Sequence, residues 1–124
     1  MDCVDEILRA TGIAGKSLKL EITETALMED VERAIAILNE LKQRQISLCI
    51  DDFGTGYCSL NYLHRFPFDV VKIDRSFVWA IDTEKQQAKI LPVIVRLAQD
   101  LHMQAIAEGI ESPSQAQQLQ KLQC

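Results

Sequence analysis

Adjacent carboxylates at Asp51 and Asp52 follow an apolar run, Ile46-Ser47-Leu48-Cys49-Ile50, and lead into Phe53-Gly54-Thr55-Gly56-Tyr57. Two like charges at the end of a buried strand repel each other and are costly to desolvate. A hard divalent cation offsets that cost, because it takes oxygen ligands. Asp and Gly are also ordinary turn residues, so the heptapeptide taken alone fits a turn as well. Repetition favours the metal. Glu21 and Glu24 close one strand-like run, Lys72 and Asp74 another, and Glu108 with Glu111 follow a third. Carboxylates of this kind hold Mg²⁺ or Mn²⁺, and the metal acidifies bound water and steadies a phosphoryl oxygen. A lysine beside them can orient the resulting hydroxide or offset charge developing on phosphate. The blander role for Lys72 is an ion pair with Asp74 or Asp51.

These groups act together only if the chain brings them to one place. Leu18-Lys19-Leu20-Glu21-Ile22-Thr23 alternates apolar and polar residues with period two, which predicts a strand. Residues 29–44 turn helical: Val31, Ala34, Ile35, Leu38 and Leu41 share a face, Glu29 and Asp30 fall in the first turn, and Lys42 and Arg44 in the last. The strand 46–50 follows almost without a loop. One or two helical turns over 59–65 end at Pro67, and 69–74 is strand-like again. A loop is expected through Phe77 and Trp79. Thr83 is a candidate cap for a helix over 84–101, kinked or split at Pro92. Ala105-Ile106-Ala107 is a short strand. Ser112-Pro113-Ser114-Gln115 then opens a last helix with a Ser cap, Pro at the first position and Gln three residues on. A first short helix carries Val4, Ile7 and Leu8 on one face and stops at Gly12.

The order is α followed by βα units, an α/β class with parallel strands and right-handed crossovers. In such folds the carboxyl ends of all strands lie on one side, where sites are built. Several of these carboxylates and one lysine should therefore face a common crevice.

The 124 residues fit one domain, with a net charge of −5. Basic clusters are lacking, which argues against a nucleic-acid polymer as partner and leaves a small anionic ligand possible if metals offset the carboxylates. Cys3, Cys49, Cys58 and Cys124 are scattered without a C-x-x-C pair, so neither zinc nor a disulfide framework is indicated. No signal peptide shows at the start. The longest apolar run, 90–98, is too short to span a bilayer and contains Arg96. The expectation is a soluble, cytoplasmic protein. His64 and His102 lack ligand spacing. Asp52-Phe53-Gly54 resembles the kinase metal motif, but no catalytic-loop signature precedes it. Gly54-Thr55-Gly56 is too short to cradle phosphate. Phe66, Phe68 and Trp79 suit a core or an interface.

The stretches LKLEITET (18–25), IDDFGTGYCSLNYL (50–63), VVKIDRSFV (70–78) and AIAEGIES (105–112) resemble the EAL family of bacterial cyclic-di-GMP phosphodiesterases, in that family's order and spacing. The resemblance covers nearly the whole chain. It implies a partial (β/α)₈ TIM-type barrel of about four βα units, two Mg²⁺ or Mn²⁺ ions, and hydrolysis of cyclic di-GMP to linear pGpG. It implies Glu21, Asp51, Asp52 and Glu108 as metal ligands, and Lys72 as the residue that holds or activates the attacking water. Glu108 would also complete the water shell. Glu24 would brace the loop 52–57, which the family also uses in dimer contacts. The Glu-Ala-Leu signature and a metal-binding Asn belong to the N-terminal part of the barrel and have no counterpart here, and a Gln-Gly-Tyr strand should follow Leu122. The chain 1–124 is therefore expected to be the C-terminal half of the domain, inactive alone. With unpaired strand edges and an apolar inner surface uncovered, it should form a homo-oligomer. A non-catalytic cyclic-di-GMP-binding or dimerisation module is the alternative, and an unrelated α/β metal hydrolase the third reading.

Overall fold

The structure, a computed structural model, describes residues 2–53, 60–83, 87–122 and 124. Four strands form one parallel sheet in the order β1 (Lys19–Thr23), β2 (Ser47–Phe53), β3 (Val70–Ile73), β4 (Gln104–Ala107). Helices α1 (Asp2–Thr11), α2 (Glu24–Met28), α3 (Val31–Gln43), α4 (Leu60–Leu63), α5 (Arg75–Thr83), α6 (Gln87–Asp100) and α7 (Pro113–Lys121) lie before, between and after them. Sequential order with right-handed crossovers keeps the connecting helices on one face, as in a barrel wall.

The register sorts the residues of the sheet into two faces. Leu20, Ile22, Leu48, Ile50, Val71, Ile73, Ala105 and Ala107 share one face and pack with Leu38, Leu41, Val78, Leu91 and Val95 of the helices into the core. The opposite face carries Lys19, Glu21, Ser47, Cys49, Val70, Lys72, Gln104 and Ile106. That face is not the apolar surface expected of an opened barrel. The exposed large hydrophobics among the described residues, such as Ile37, Trp79, Ile90 and Val93, lie on helices or loops and not on strands. A site facing inward needs polar side chains there, and the period of two supplies them.

Two helix-to-strand transitions use the same device. After α3 the Gln45 amide donates to Lys42 O (2.9 Å) and the Ile46 amide to Leu41 O (3.3 Å), with Gln45 left-handed at φ 63°. After α6 the His102 amide donates to Gln99 O (3.0 Å) and the Met103 amide to Ala98 O (2.8 Å), with His102 at φ 60°. Both are Schellman stops. Each buries the next side chain, Ile46 or Met103, and starts a strand one residue later. At this end of the sheet Asp69 joins three strands. Its carboxylate accepts from the Leu48 amide (2.9 Å) and from Lys42 Nζ (2.8 Å), its amide donates to Leu48 O (2.9 Å), and its carbonyl accepts from the Gln104 amide (2.9 Å).

Several sequence expectations are corrected. The loop expected through Phe77 and Trp79 is α5. The Asp74 carboxylate accepts from the Ser76 amide (2.9 Å) and starts that helix, which buries Phe77, Val78 and Ala80. Glu24 sits just past the end of β1, as expected, but there it opens an extra helix, α2, capped by Thr23. Asp30 is the cap of α3, accepting from the Arg33 amide, rather than a first-turn residue. Of the two expectations at Pro92, the split is excluded, since Pro92 sits within one helix, α6. In α1 the apolar face narrows to Val4 and Leu8, and Ile7 is exposed. The full capping box at Ser112 and Gln115 is as expected. The capping role of Thr83, the start of the helix at 84, and the loop 54–59 lie outside the described residues or side chains.

Glycine at either Schellman position should remove the steric cost of a left-handed side chain. Gln45→Gly and His102→Gly are each expected to stabilise by about 0.5–1 kcal/mol in urea unfolding, since the cost relieved exceeds the added chain entropy. Destabilisation by both would mean that these residues contribute contacts beyond their backbone.

Candidate metal centre

Strand β2 runs through both aspartates instead of ending before them. Its pairing with β3 slips between Ile50 and Phe53, and Asp52 occupies the slip in a left-handed conformation at φ 53°. Aspartate tolerates that region better than most residues. The slip breaks the alternation of the strand, so consecutive carboxylates reach one rim. The Asp51 carboxylate accepts from the Asp52 amide at 2.9 Å and is thereby fixed.

Glu108 arrives from β4, where its amide makes the last ladder bond to Ile73 O (3.4 Å). Oxygens of Asp51, Asp52 and Glu108 all lie within 4.8 Å of one another, all three side chains being half-buried. Hard carboxylate oxygens so grouped from separate strands fit a divalent cation such as Mg²⁺ or Mn²⁺.

Lys72 projects from β3 into this group. Its ammonium lies 2.5 Å from Glu108 Oε1, 2.9 Å from Glu21 Oε1 and 3.9 Å from Asp51 Oδ1. The Glu21 contact crosses over β2, because β1 and β3 flank that strand. Cys49 lies on this inner face and is fully buried. Burial pushes its thiol up to about 11. Of the two bland pairings expected for Lys72, that with Asp51 is present at 3.9 Å, and that with Asp74 is not among the ion pairs of the described residues.

The charges of the rim perturb one another in opposite directions. Hydrogen bonds to Glu108 and then to Glu21 hold the Lys72 ammonium well above its ordinary pKa. Desolvation raises the Asp52 carboxyl, and the negative charges of Asp51, Asp74 and Glu108 raise it further. Ser76 holds Asp74 below the usual carboxylate value. A cation entering the triad would relieve the repulsion felt by Asp52.

Among the residues expected at the site, Asp51, Asp52 and Glu108 form the triad, and Lys72 joins it. Glu21 stands outside the triad, tied to it through Lys72. Glu24 is buried at the start of α2, and residues 54–57 that it was expected to brace lie outside the described residues. Trp79 was missed as a neighbour of the site: its indole N–H donates to Gly109 O at 2.9 Å. Its spacing of four from Arg75 is a signal only once residues 75–83 are known to be helical.

The family model described as EAL domain matches residues 1–124. Among curated relatives, the chain is 44% identical over 124 residues to the cyclic di-GMP phosphodiesterase NbdA of Pseudomonas aeruginosa, covering 98% of this chain and 16% of that protein. Among solved structures it superimposes with a TM-score of 0.94 on a c-di-GMP complex of the PaMucR phosphodiesterase, 37% identical, covering 99% of this chain and 50% of that one. A manganese and c-di-GMP complex of BlrP1 from Klebsiella pneumoniae gives a TM-score of 0.84 at 31% identity, covering 98% of this chain and 32% of that one. A calcium complex of the same protein is similar. The chain spans about one sixth of the length of the curated relative and half of the PaMucR chain. No helix among the described residues is long and apolar enough to cross a membrane. With its fold, its rim of carboxylates and the match over its entire length, the chain belongs to the EAL domain family.

Proposed function

We propose that the chain is the C-terminal half of an EAL-domain barrel, and that within the complete barrel it serves the hydrolysis of cyclic di-GMP to linear pGpG. The observation that carries this reading is the convergence of Asp51, Asp52 and Glu108 oxygens within 4.8 Å beside the Lys72 ammonium. Relatives named as cyclic di-GMP phosphodiesterases, and neighbours captured with c-di-GMP and manganese or calcium, support it.

Asp51, Asp52 and Glu108 would hold the divalent cations, Mg²⁺ or Mn²⁺, and Glu21 would add an oxygen from β1. When bound, such ions acidify a coordinated water and stabilise negative charge on phosphate. Lys72 holds or activates the water, and it lends positive charge to the phosphoryl oxygens. The Lys72 contacts to Glu21 and Glu108 keep both carboxylates turned toward the rim. Glu24 is buried at the start of α2, and the role that the family resemblance implies for it is to brace the loop 52–57.

The described sheet supplies four strands of an eight-stranded wall, so the remaining ligands come from outside it. Purified chain given cyclic di-GMP and Mn²⁺ is therefore expected to release little pGpG. Sustained turnover that disappears in Asp51→Ala would mean that these strands carry the whole site. Binding with Ca²⁺ but no turnover, even within a complete barrel, would favour the alternative of a non-catalytic binding module.

Asp52→Asn separates charge from fold. A carboxyl with a raised folded pKa is destabilising once ionised, so its cost is absent below the ordinary value of 3.8 and grows as pH rises through the folded value. The metal-free variant should melt higher than the wild type at pH 7, and the difference should vanish near pH 3. In Mg²⁺ the order should reverse, because the variant loses a ligand. A variant that melts lower without metal at pH 7 would refute the repulsion.

Strands β1 and β4 each keep one edge without a strand partner among the described residues. Beside β4 a groove of about 270 Å³ is lined by residues including Ala105, Ile106, Ile110 and Leu119. Open parallel edges recruit further strands, so a homo-oligomer is expected for the isolated chain. Sedimentation velocity at micromolar concentration should detect it, and a compact monomer would refute it.

A further inference from the structure

Glu108 belongs to the rim, yet it sits beyond the end of β4, where only the ladder bond of its own amide ties the backbone to the sheet. Something else must hold the chain that follows. Helix α5 does so at Gly109. Trp79 Nε1 donates to Gly109 O at 2.9 Å. Gly109 is left-handed at φ 77°, and a Cβ there would stand 2.7 Å from Arg75 Cβ and 3.3 Å from Trp79 Nε1. The backbone at 109 therefore lies directly on the helix, at a distance only glycine permits. Arg75 and Trp79 are one turn apart on α5, and the Arg75 guanidinium stacks over the indole at 5.0 Å from its centroid. This stacking fixes the plane of the ring and hence the direction of its N–H. Two residues further on, buried Gln115 accepts from the Glu111 amide (2.7 Å) and the Ser112 amide (3.2 Å). The short turn after Glu108 is thus held at both ends.

The same β3–α5 unit carries Lys72 on its strand and Trp79 on its helix. One segment therefore fixes Lys72 directly and Glu108 through the Gly109 carbonyl. We propose that Trp79 is a positioning residue that sets Glu108 against Lys72, Asp51 and Asp52 by holding Gly109. It touches neither substrate nor metal. Its effect on metal binding rests on the functional reading above, whereas its effect on the turn does not.

The test is Trp79→Phe in the full chain. This variant keeps an aromatic ring beside Arg75 and loses the N–H. Amide hydrogen exchange, read by mass spectrometry, should accelerate at 108–111 and stay unchanged at 47–53. The urea midpoint should stay within error of the wild type. The Mg²⁺ dissociation constant, measured by calorimetry, should rise about tenfold, the usual scale for a lost outer-shell partner. Gly109→Ala, which pushes the turn off α5, should give the same pattern. Unchanged exchange at 108–111 together with unchanged Mg²⁺ affinity would overturn the proposal. Faster exchange throughout the chain with a lowered midpoint would also overturn it, by making Trp79 a general contributor to folding. Faster exchange at 108–111 in a chain that binds no Mg²⁺ in either form would uphold the positioning role and sink the metal reading instead.

Discussion

Concentrating negative charge at the carboxyl end of a parallel sheet is the constraint to which the other features answer. Asp51, Asp52 and Glu108 come within 4.8 Å, a distance at which like charges cost several kcal/mol unless water or a counter-charge intervenes. Lys72 supplies a counter-charge from within the chain, and its raised pKa is the other side of the same interaction. One ammonium cannot neutralise Glu21, Asp51, Asp52 and Glu108 together. The residual repulsion appears at Asp52, which also bears the desolvation cost.

The rest of the fold makes that concentration tolerable. The opposite end of the sheet is closed by Asp69, Lys42 and the backbone of β2 and β4, where the charges are paired and the strands held in register. The two Schellman stops lead straight into β2 and β4, and the pairing register, with its slip in β2, brings Phe53, Ile73 and Ala107 level at the carboxyl ends. Helix-side burial of Leu48, Ile50, Val71 and Ile73 anchors the sheet from one face alone. This leaves the other face free to carry Glu21, Lys72 and the rim.

Much of this was legible in the sequence. The alternation at 18–23 identified β1, the Ser112-Pro113-Ser114-Gln115 run identified α7, and the charged strand ends marked the rim. These signals are local: side-chain period, cap chemistry, and the cost of placing acids near a buried strand. What escaped depended on contacts distant in sequence or on an unusual backbone. Helix α5 reads as a loop in the sequence because its cap, Asp74, also completes the strand-like pattern of 69–74. The continuation of β2 through Asp51 and Asp52 relies on a left-handed aspartate that no composition rule anticipates. Gln45 and His102 stop helices where glycine would ordinarily mark the stop, so the device was invisible even though the boundary at 44 was close. The seating of Gly109 on α5 needs residues 75, 79 and 109 in one view.

The burial of Cys49 has a consequence of its own. The residue lies on the inner face of β2, level with Glu21 of β1 and Val70 of β3, fully buried, and burial pushes its thiol up to about 11. A thiol so held is a poor nucleophile at neutral pH, so a small alkylating reagent should spare Cys49 while the sheet is closed and reach it when the strands part.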